Sequence, residues 1–498
     1  MAQERLHAAA KMARAPLDLL VIGGGIVGAG IARDAAMRGL RVGLVEQGDF
    51  ASGTSSRSSR LLHGGLRYLA QGRLGLVHEA SVEKKNIHQI APHLAEPLPF
   101  IFPTYRGNKN WQLWQLKIGV KIYDLLCGGR NLGKSSSLTA QATLQTVPGL
   151  RDENLTGAVR YYDGFTNDAR LVLDTLRSAA NHHAILLNYC RFINATRDGH
   201  WDCELDDVLG GGRIPVRTRT VVNATGPWAD RIPHGRVNLR PTKGVHLVVN
   251  RTRVFAPDTV VMTDAKRILF AIPWGERTIL GTTDTDYQGS PDEVRAEAAD
   301  IGYILAIANQ FFPKAKLTVR DVISTWAGLR PLIADPHGAP SDISRSHEIR
   351  RPEPGWWDVA GGKLTTYRLM AQQTVDQIVE GLSEETASRP AQRFSRCRTA
   401  DEPLLPRAQT KGVSGILPPP MTREAVKHFC EREWPVHLED VMIRRAGWHY
   451  YLADARERAE QVAAWMAEFL DWPATFQTGE VERYQAAMDR QAAAIFSS

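Results

Sequence analysis

Apolar residues in this chain gather into short runs broken by glycine, and the sharpest run, Leu19-Leu20-Val21-Ile22, predicts a buried strand near the N-terminus. It enters Gly23-x-Gly25-x-x-Gly28, and the small-residue segment Ala29 to Arg38 then has the spacing of a helix lying close on a sheet. Past Gly39, Leu40 to Val45 predicts a second strand, which ends on Glu46. Strand, tight turn, helix and strand together make a dinucleotide-binding unit. Gly23 allows the turn, Gly25 lets the backbone approach a pyrophosphate and Gly28 lets the helix rest on its strand. The first N–H groups of the helix face the phosphates, and Glu46, about 20 residues on, is placed to meet an adenosine ribose. The bland alternative is an ordinary strand–helix turn.

Further along, Phe50 to Ala70 carries Thr54, Ser55, Ser56, Ser58 and Ser59 ahead of His63-Gly64-Gly65, hydroxyls suited to bonding a cofactor's phosphates and ribityl chain. Leu61, Leu62, Leu66 and Leu69 draw this segment into a core, with Arg67 and Tyr68 at its edge. Lys109 to Gly129 interleaves Trp111, Trp114, Leu116, Ile118, Tyr123 and Leu125 with Lys117 and Lys121, a basic amphipathic pattern that fits either a membrane surface or a helix roofing a pocket. Asp163 to His183 predicts a helix, and Ala184 to Arg197 and His200 to Val222 predict strands.

The apolar run Thr220 to Asn223 stops abruptly at Ala224-Thr225-Gly226-Pro227, where glycine lets the backbone approach a cofactor a second time. Several β-rich runs from Leu239 to Thr283, among them Lys243 to Val249, predict a mostly antiparallel sheet. Asp292 to Phe312 is helical in pattern. Trp357 to Ala360 predicts a strand running into Gly361-Gly362-Lys363-Leu364-Thr365 and a long helix, which repeats the strand, glycine and helix-start arrangement and aims the Lys363 charge at its ligand. Ser383 to Pro420 reads as a linker, and the text from Thr422 onward as a separate helical domain.

Composition adds bounds. With 498 residues, 43% hydrophobic and 23% charged, the chain is globular and long enough for two or three domains. A net charge of +7 favours anionic substrates or anionic surfaces, but no basic-aromatic motif points to nucleic acid. The five cysteines have no paired or zinc-type spacing, which predicts a reduced compartment. Asp284 and Asp286 at a strand end are read as solvated acids, with no metal site expected. The first 17 residues lack the apolar core of a signal peptide and are read as a frayed tail, and no run is long enough to span a bilayer.

Assembled in order, VIGGGIVGAGIA, TSSRSSRLLHGGLRYL, NDARLV, VNATGPWA, KGVHLVV, GTTDTDY, AGLRPL and GGKLTTYR resemble the FAD-dependent, respiratory glycerol-3-phosphate dehydrogenases, within the D-amino-acid-oxidase-like flavoenzymes. The likeness runs from Asp18 to about Arg368; Val27 stands where the family is associated with Asn, and the region after Ser383 matches less well.

The resemblance implies an α/β protein with three parts: an FAD-binding Rossmann-like domain over 16–95, 150–235 and 345–382, a discontinuous antiparallel-sheet substrate domain over 96–149 and 236–344, and a linker and C-terminal helical domain over 383–498. It implies FAD on Gly23, Gly25, Gly28, Glu46, Ser55, Ser56, Ser59, His63, Gly64, Thr225, Gly226, Gly362, Lys363, Leu364 and Thr365, held without a covalent bond because no cysteine falls in these motifs. It also implies glycerol 3-phosphate gripped by Arg67, Tyr68, Arg330 and Arg345.

Oxidising a secondary alcohol to dihydroxyacetone phosphate requires proton removal as hydride leaves. His246 is the candidate base, Arg330 the stabiliser of the developing alkoxide and Lys363 the charge beside the flavin. A ubiquinone-type acceptor, peripheral attachment to the inner face of the cell membrane from the cytoplasm, and a possible homodimer complete the expectation. Two rival readings keep the fold: an oxidase that reduces oxygen, and a catalytically silent flavin-binding scaffold.

Overall fold

Along the strand Leu17–Ile22 only Asp18 keeps contact with water; Leu19 and Val21 enter one core, and Leu20 and Ile22 the core behind it. A strand apolar on both faces belongs inside a parallel sheet. In this computed structural model it lies between Val42–Val45, where Leu19 stands opposite Val42, and Gly212–Asn223, where Leu20 stands opposite Val221. Ile185–Leu187 and Trp356–Gly361 extend the parallel set on its two sides, and His347–Glu353 adds an antiparallel edge. The hairpin of Cys190–Asp198 and His200–Asp207 pairs with the first half of Gly212–Asn223. The structure describes residues 2–64, 74–108, 111–126, 132–264, 267–334, 347–385 and 394–496.

Three helices, Ile26–Met37, Asp168–Asn181 and Tyr367–Glu385, cover one face of this sheet through Ile31, Leu171, Met370 and their neighbours. The other face holds Met12, Trp201 and Trp356. Met12 belongs to a helix, Ala2–Ala13, so the first residues are not the frayed tail expected of them. Arg5 ties that helix down, donating to the carbonyl oxygen and Oδ1 of Asn188 and to Oδ1 of Asp207 at 2.6, 2.9 and 3.0 Å. The helix is mostly alanine on its short inner face, which leaves little periodic signal.

A second, mostly antiparallel sheet rests on two long ladders, Leu239–Asn250 with Val322–Ile333 and Ala95–Tyr105 with Leu155–Thr166. Arg277–Gly281, Arg267–Trp274 and Thr259–Asp264 bridge them, the last pairing parallel to Ala95–Tyr105. Leu61–Leu62 also pairs here, so parts of the 16–95 and 150–235 segments expected in the cofactor domain lie in the second sheet. Alternation identifies a strand but not which sheet it joins. It does orient side chains: Val245, Leu247 and Val249 point under the helix Ala298–Phe311, and His246 between them points the other way.

The stretch from 394 to 420, read as a linker, is packed rather than loose. Leu404 and Leu405 join the first core, and the buried Arg33 donates to the carbonyls of Thr399 and Glu402 at 3.0 and 2.7 Å. Beyond it the helices Arg423–Arg432, Ala455–Leu470 and Ala474–Phe496 enclose Phe429, Trp448, Met466 and Tyr484. Arg170 fastens this unit to the sheets with a bidentate grip on Glu433 at 2.6 and 2.8 Å and a bond to Asp174 at 3.0 Å, all fully buried. Burial opposes ionisation of Glu433, but the adjoining guanidinium outweighs it and holds the carboxyl far below its usual range.

Replacing Arg170 with leucine takes the bidentate partner from Glu433 and one partner from Asp174, leaving Arg177 between the two carboxylates, and costs about 3 kcal/mol. Arg170→Leu should therefore lower the thermal unfolding midpoint most at neutral pH. Because a carboxyl held low contributes in full above its unfolded value near 4.3 and loses that contribution as pH falls toward its folded value, the gap to wild type should narrow progressively below about pH 4. Equal midpoints at pH 7 would show that the network does not anchor the C-terminal helices.

Candidate active site

At the end of Leu17–Ile22 the chain reverses through contacts that only glycine permits. Gly23 has φ +111°, and a Cβ there would stand 2.6 Å from the Ala224 carbonyl oxygen; a Cβ on Gly28 would stand 1.9 Å from the carbonyl oxygen of Gly23. Gly25 occupies the cap position of the helix Ile26–Met37 without a side-chain cap, and Ser55 Oγ accepts the Ile26 N–H at 3.0 Å. Glu46 follows Val42–Val45 and accepts the N–H groups of Gly24 and Gly48 at 2.7 and 2.9 Å. Burial raises its pKa, and those two N–H groups partly offset the effect. Glu46 thus shapes the same turn that it was expected to serve only by meeting a ribose.

From this turn a cavity of about 680 Å³ opens between the two sheets. Gly23, Gly25, Glu46, Ser55, Ser59 and His63 line it, together with Thr225, Gly226, Gly362, Lys363, Leu364 and Thr365. Gly28 and Ser56 lie beneath the wall, both buried. Gly64 also stands behind it, donating its N–H to Asp163 Oδ1 at 3.1 Å. Arg67, Tyr68 and Arg345 lie outside the described residues. One cysteine that sequence reasoning kept away from the cofactor, Cys190, lines the cavity near Glu46; its thiol is pushed up to about 12 by burial, which leaves it protonated and inert.

His246 and Arg330 face the same cavity from the second sheet. His246 Nε2 lies 2.8 Å from Ser59 Oγ, its ring stacks on Trp326 at 5.2 Å, and its Nδ1 is buried without a hydrogen-bond partner. Burial, then the charges of Arg330 and Arg60, lower its pKa to about 3, so the imidazole is neutral through the physiological range. Arg330 bonds Asp284 Oδ1 at 3.0 Å, and Asp286 pairs with Arg240, so each of the two acids once weighed as metal ligands faces a guanidinium. Among the described residues no group of three or more histidine, cysteine or acidic side chains is arranged to hold a metal.

Sequence reasoning missed the clamp around His246. Trp326 Nε1 donates to the Ser58 carbonyl at 3.1 Å, Thr54 Oγ1 donates to the Leu329 carbonyl at 2.6 Å, and Asp168 Oδ2 accepts both the N–H and the Oγ–H of Ser58. The serine-rich loop was legible as a ligand surface, but its bonds back to the protein were not.

The wall suits FAD. An uncapped helix start and glycine backbone suit a pyrophosphate, the lining hydroxyls suit a sugar or ribityl chain, and Lys363 with the start of the Leu364–Thr366 turn suits an electron-rich ring edge. Gly28→Ala should cut the flavin-to-protein ratio of purified protein by roughly tenfold or more, because its methyl group forces the turn and its helix apart. A fully loaded Gly28→Ala protein would show that the turn does not form the cofactor seat.

Comparison with known proteins agrees with this geometry. The family described as FAD-dependent oxidoreductase matches residues 18–376. Glycerol-3-phosphate dehydrogenase 2 of Mycobacterium bovis is 35% identical over 95% of this chain and 88% of its own length. The aerobic glycerol-3-phosphate dehydrogenase of Bacillus subtilis is 37% identical over 80% of this chain and 73% of its own. The crystal structure of the glycerol-3-phosphate dehydrogenase from Bacillus halodurans complexed with FAD superposes with a TM-score of 0.74 at 30% identity, covering 99% of this chain and 98% of that one. An L-α-glycerophosphate oxidase from Mycoplasma pneumoniae shares the fold at 16% identity and a TM-score of 0.57, with 73% of this chain and 95% of that one covered. With the glycine turn, the two-sheet cavity and these likenesses together, the chain belongs to the FAD-dependent oxidoreductases, in the branch of the glycerol-3-phosphate dehydrogenases.

Proposed function

We propose that this protein oxidises sn-glycerol 3-phosphate to dihydroxyacetone phosphate with FAD and delivers the electrons to a membrane quinone. The observation that carries the reading is a neutral, buried His246 facing, with Arg330 and Lys363, into a cavity that begins at the glycine turn. Bound FAD supplies the acceptor for the hydride from C2 of the substrate. The hydroxyl proton passes to His246, and Ser59, 2.8 Å from Nε2 and on the cavity wall, gives it a path. Arg330, steadied by Asp284, offers a guanidinium to the substrate's negative charge. His246→Gln should keep its flavin and lose roughly 10²–10⁴-fold in dye-linked turnover of glycerol 3-phosphate. Wild-type turnover in that variant would remove His246 from the chemistry.

The acceptor is read as a quinone because the relatives matched over most of their length are named dehydrogenases, whereas the oxidase likeness is one of fold. The surface supports delivery at a bilayer. On the helix Leu113–Leu126, Leu116, Val120 and Tyr123 pack inward, while Trp114, Ile118, Ile122 and Leu125 form an outward stripe, Trp114 59% and Leu125 79% exposed, beside Lys117 and Lys121. The inner face of the helix packs on the second sheet rather than over the cavity, and the outer face is the one offered to a membrane surface. Among the described residues no helix is long and apolar enough to cross a membrane, so contact through this stripe is peripheral.

Binding to anionic vesicles should weaken but persist in high salt, since salt screens only the lysines, each contributing about 1 kcal/mol near such a surface. It should fall further in Trp114→Ser, Leu125→Ser. Equal recovery in the supernatant with and without vesicles would contradict membrane attachment.

A further inference from the structure

Arg60 in the serine-rich loop is buried and, unlike its neighbours Ser59 and Leu61, does not line the cavity. Its guanidinium lies over the Trp274 ring at 4.2 Å and beside Trp326 at 5.4 Å. The nearest acid, Asp168, is 3.8 Å from Nε, and Nε and Nη1 have no hydrogen-bond partner. A buried guanidinium left short of partners is costly, and folds keep such groups where something else requires them.

The backbone shows what the position does. Arg60 has φ +58°, in the left-handed region that a non-glycine residue enters only when its surroundings hold it there. Its N–H bonds Ser58 Oγ at 3.0 Å, and its carbonyl accepts the Thr166 N–H at 2.9 Å. The kink lets three successive residues grip one pair of rings. The Ser58 carbonyl takes Trp326 Nε1, Ser59 Oγ meets His246 Nε2, and the Arg60 guanidinium supports Trp326. Trp326 is thus held between His246 at 5.2 Å, Tyr450 of the C-terminal unit at 5.0 Å, and Arg60.

We infer that Arg60 is a positioning residue for proton removal: caged by Trp274 and Trp326, it fixes the indole on which His246 stacks and so keeps Nε2 turned toward Ser59 and the cavity. This rests on His246 being the base. The charged groups that face His246 are Arg60 from the loop and Arg330 from the strand Val322–Ile333, backed by Asp168 and Asp284 respectively, with the phenol of Tyr450 behind Trp326. Arg60's positive charge also disfavours the imidazolium, so removing it must raise the pH at which His246 takes up a proton.

The test uses FAD-loaded Arg60→Met and Arg60→Lys beside wild type and His246→Gln, with turnover expressed per bound flavin and followed against pH. Arg60→Met should lose roughly tenfold to a hundredfold in kcat, with KM for glycerol 3-phosphate changing much less. The acid limb of its kcat profile should move to higher pH; the ionisation of substrate phosphate near pH 6 is common to all the proteins and does not account for a difference. Arg60→Lys keeps the charge but not the planar face, so it should restore the acid limb and recover kcat only in part.

An unmoved limb with unchanged kcat per flavin in Arg60→Met would overturn the inference, as would a loss confined to thermal stability. If Arg60→Met yields no folded flavoprotein, Arg60→Lys decides alone: kcat per flavin equal to wild type overturns the positioning role. Wild-type kcat in His246→Gln would instead defeat the reading of the base itself, and the inference with it.

Discussion

Where the strand Leu17–Ile22 passes into its helix, the carbonyl of Gly23 occupies the place where a side chain on Gly28 would begin. That approach of backbone to backbone lets the helix Ile26–Met37 rest on the sheet with its first N–H groups facing outward, and it leaves room for a second close passage at Ala224. The cavity begins there, and its other walls follow from it. Glu46 closes the turn from the next strand, Thr225 and Gly226 approach from the strand on the opposite side, and the Gly361–Thr365 segment arrives from the strand beyond that.

The reacting end depends on a different kind of contact. His246 comes from the second sheet, and the loop that bonds it comes from the first domain, so the two units must meet to complete the site. They meet at close range: a Cβ on Gly328 would stand 2.8 Å from the Arg57 carbonyl, and Thr54 and Ser58 bond directly to the strand Val322–Ile333. The C-terminal helices reach the same place, since Tyr450 packs on Trp326, Ser324 Oγ donates to the Tyr450 carbonyl at 2.8 Å and Gln491 bonds Thr325. A region beyond the matched family model thereby forms the back of the reaction site.

The legible parts were those in which one residue type answers one local demand. The glycine turn and the strand-end acid follow from spacing, because each requirement is met within a few residues of chain; His246 was reached through the family resemblance and its chemistry. The contacts that were not legible join distant segments: Trp326 against His246, Asp168 beneath Ser58, Arg33 capped by carbonyls from 399 and 402, and Arg170 gripping Glu433. The helix Ala2–Ala13 was hidden for a related reason, as its anchor is Arg5 reaching Asn188 and Asp207 rather than an apolar stripe. The strand Leu155–Thr166 was not legible: the helix expected over Asp163 to His183 begins only at Asp168, and pairing with Ala95–Tyr105 sets 155–166 in the second sheet.

The central claim is that an alcohol carbon of a phosphate-bearing polyol gives its hydride to FAD in this cavity. Anaerobic mixing of the FAD-loaded protein with glycerol 3-phosphate, with no other acceptor present, tests it most directly. The account predicts rapid loss of the yellow flavin absorbance with one equivalent of substrate per flavin, and little or none with glycerol, which lacks the phosphate. Flavin that stays oxidised with glycerol 3-phosphate, or that bleaches equally with glycerol, would contradict it.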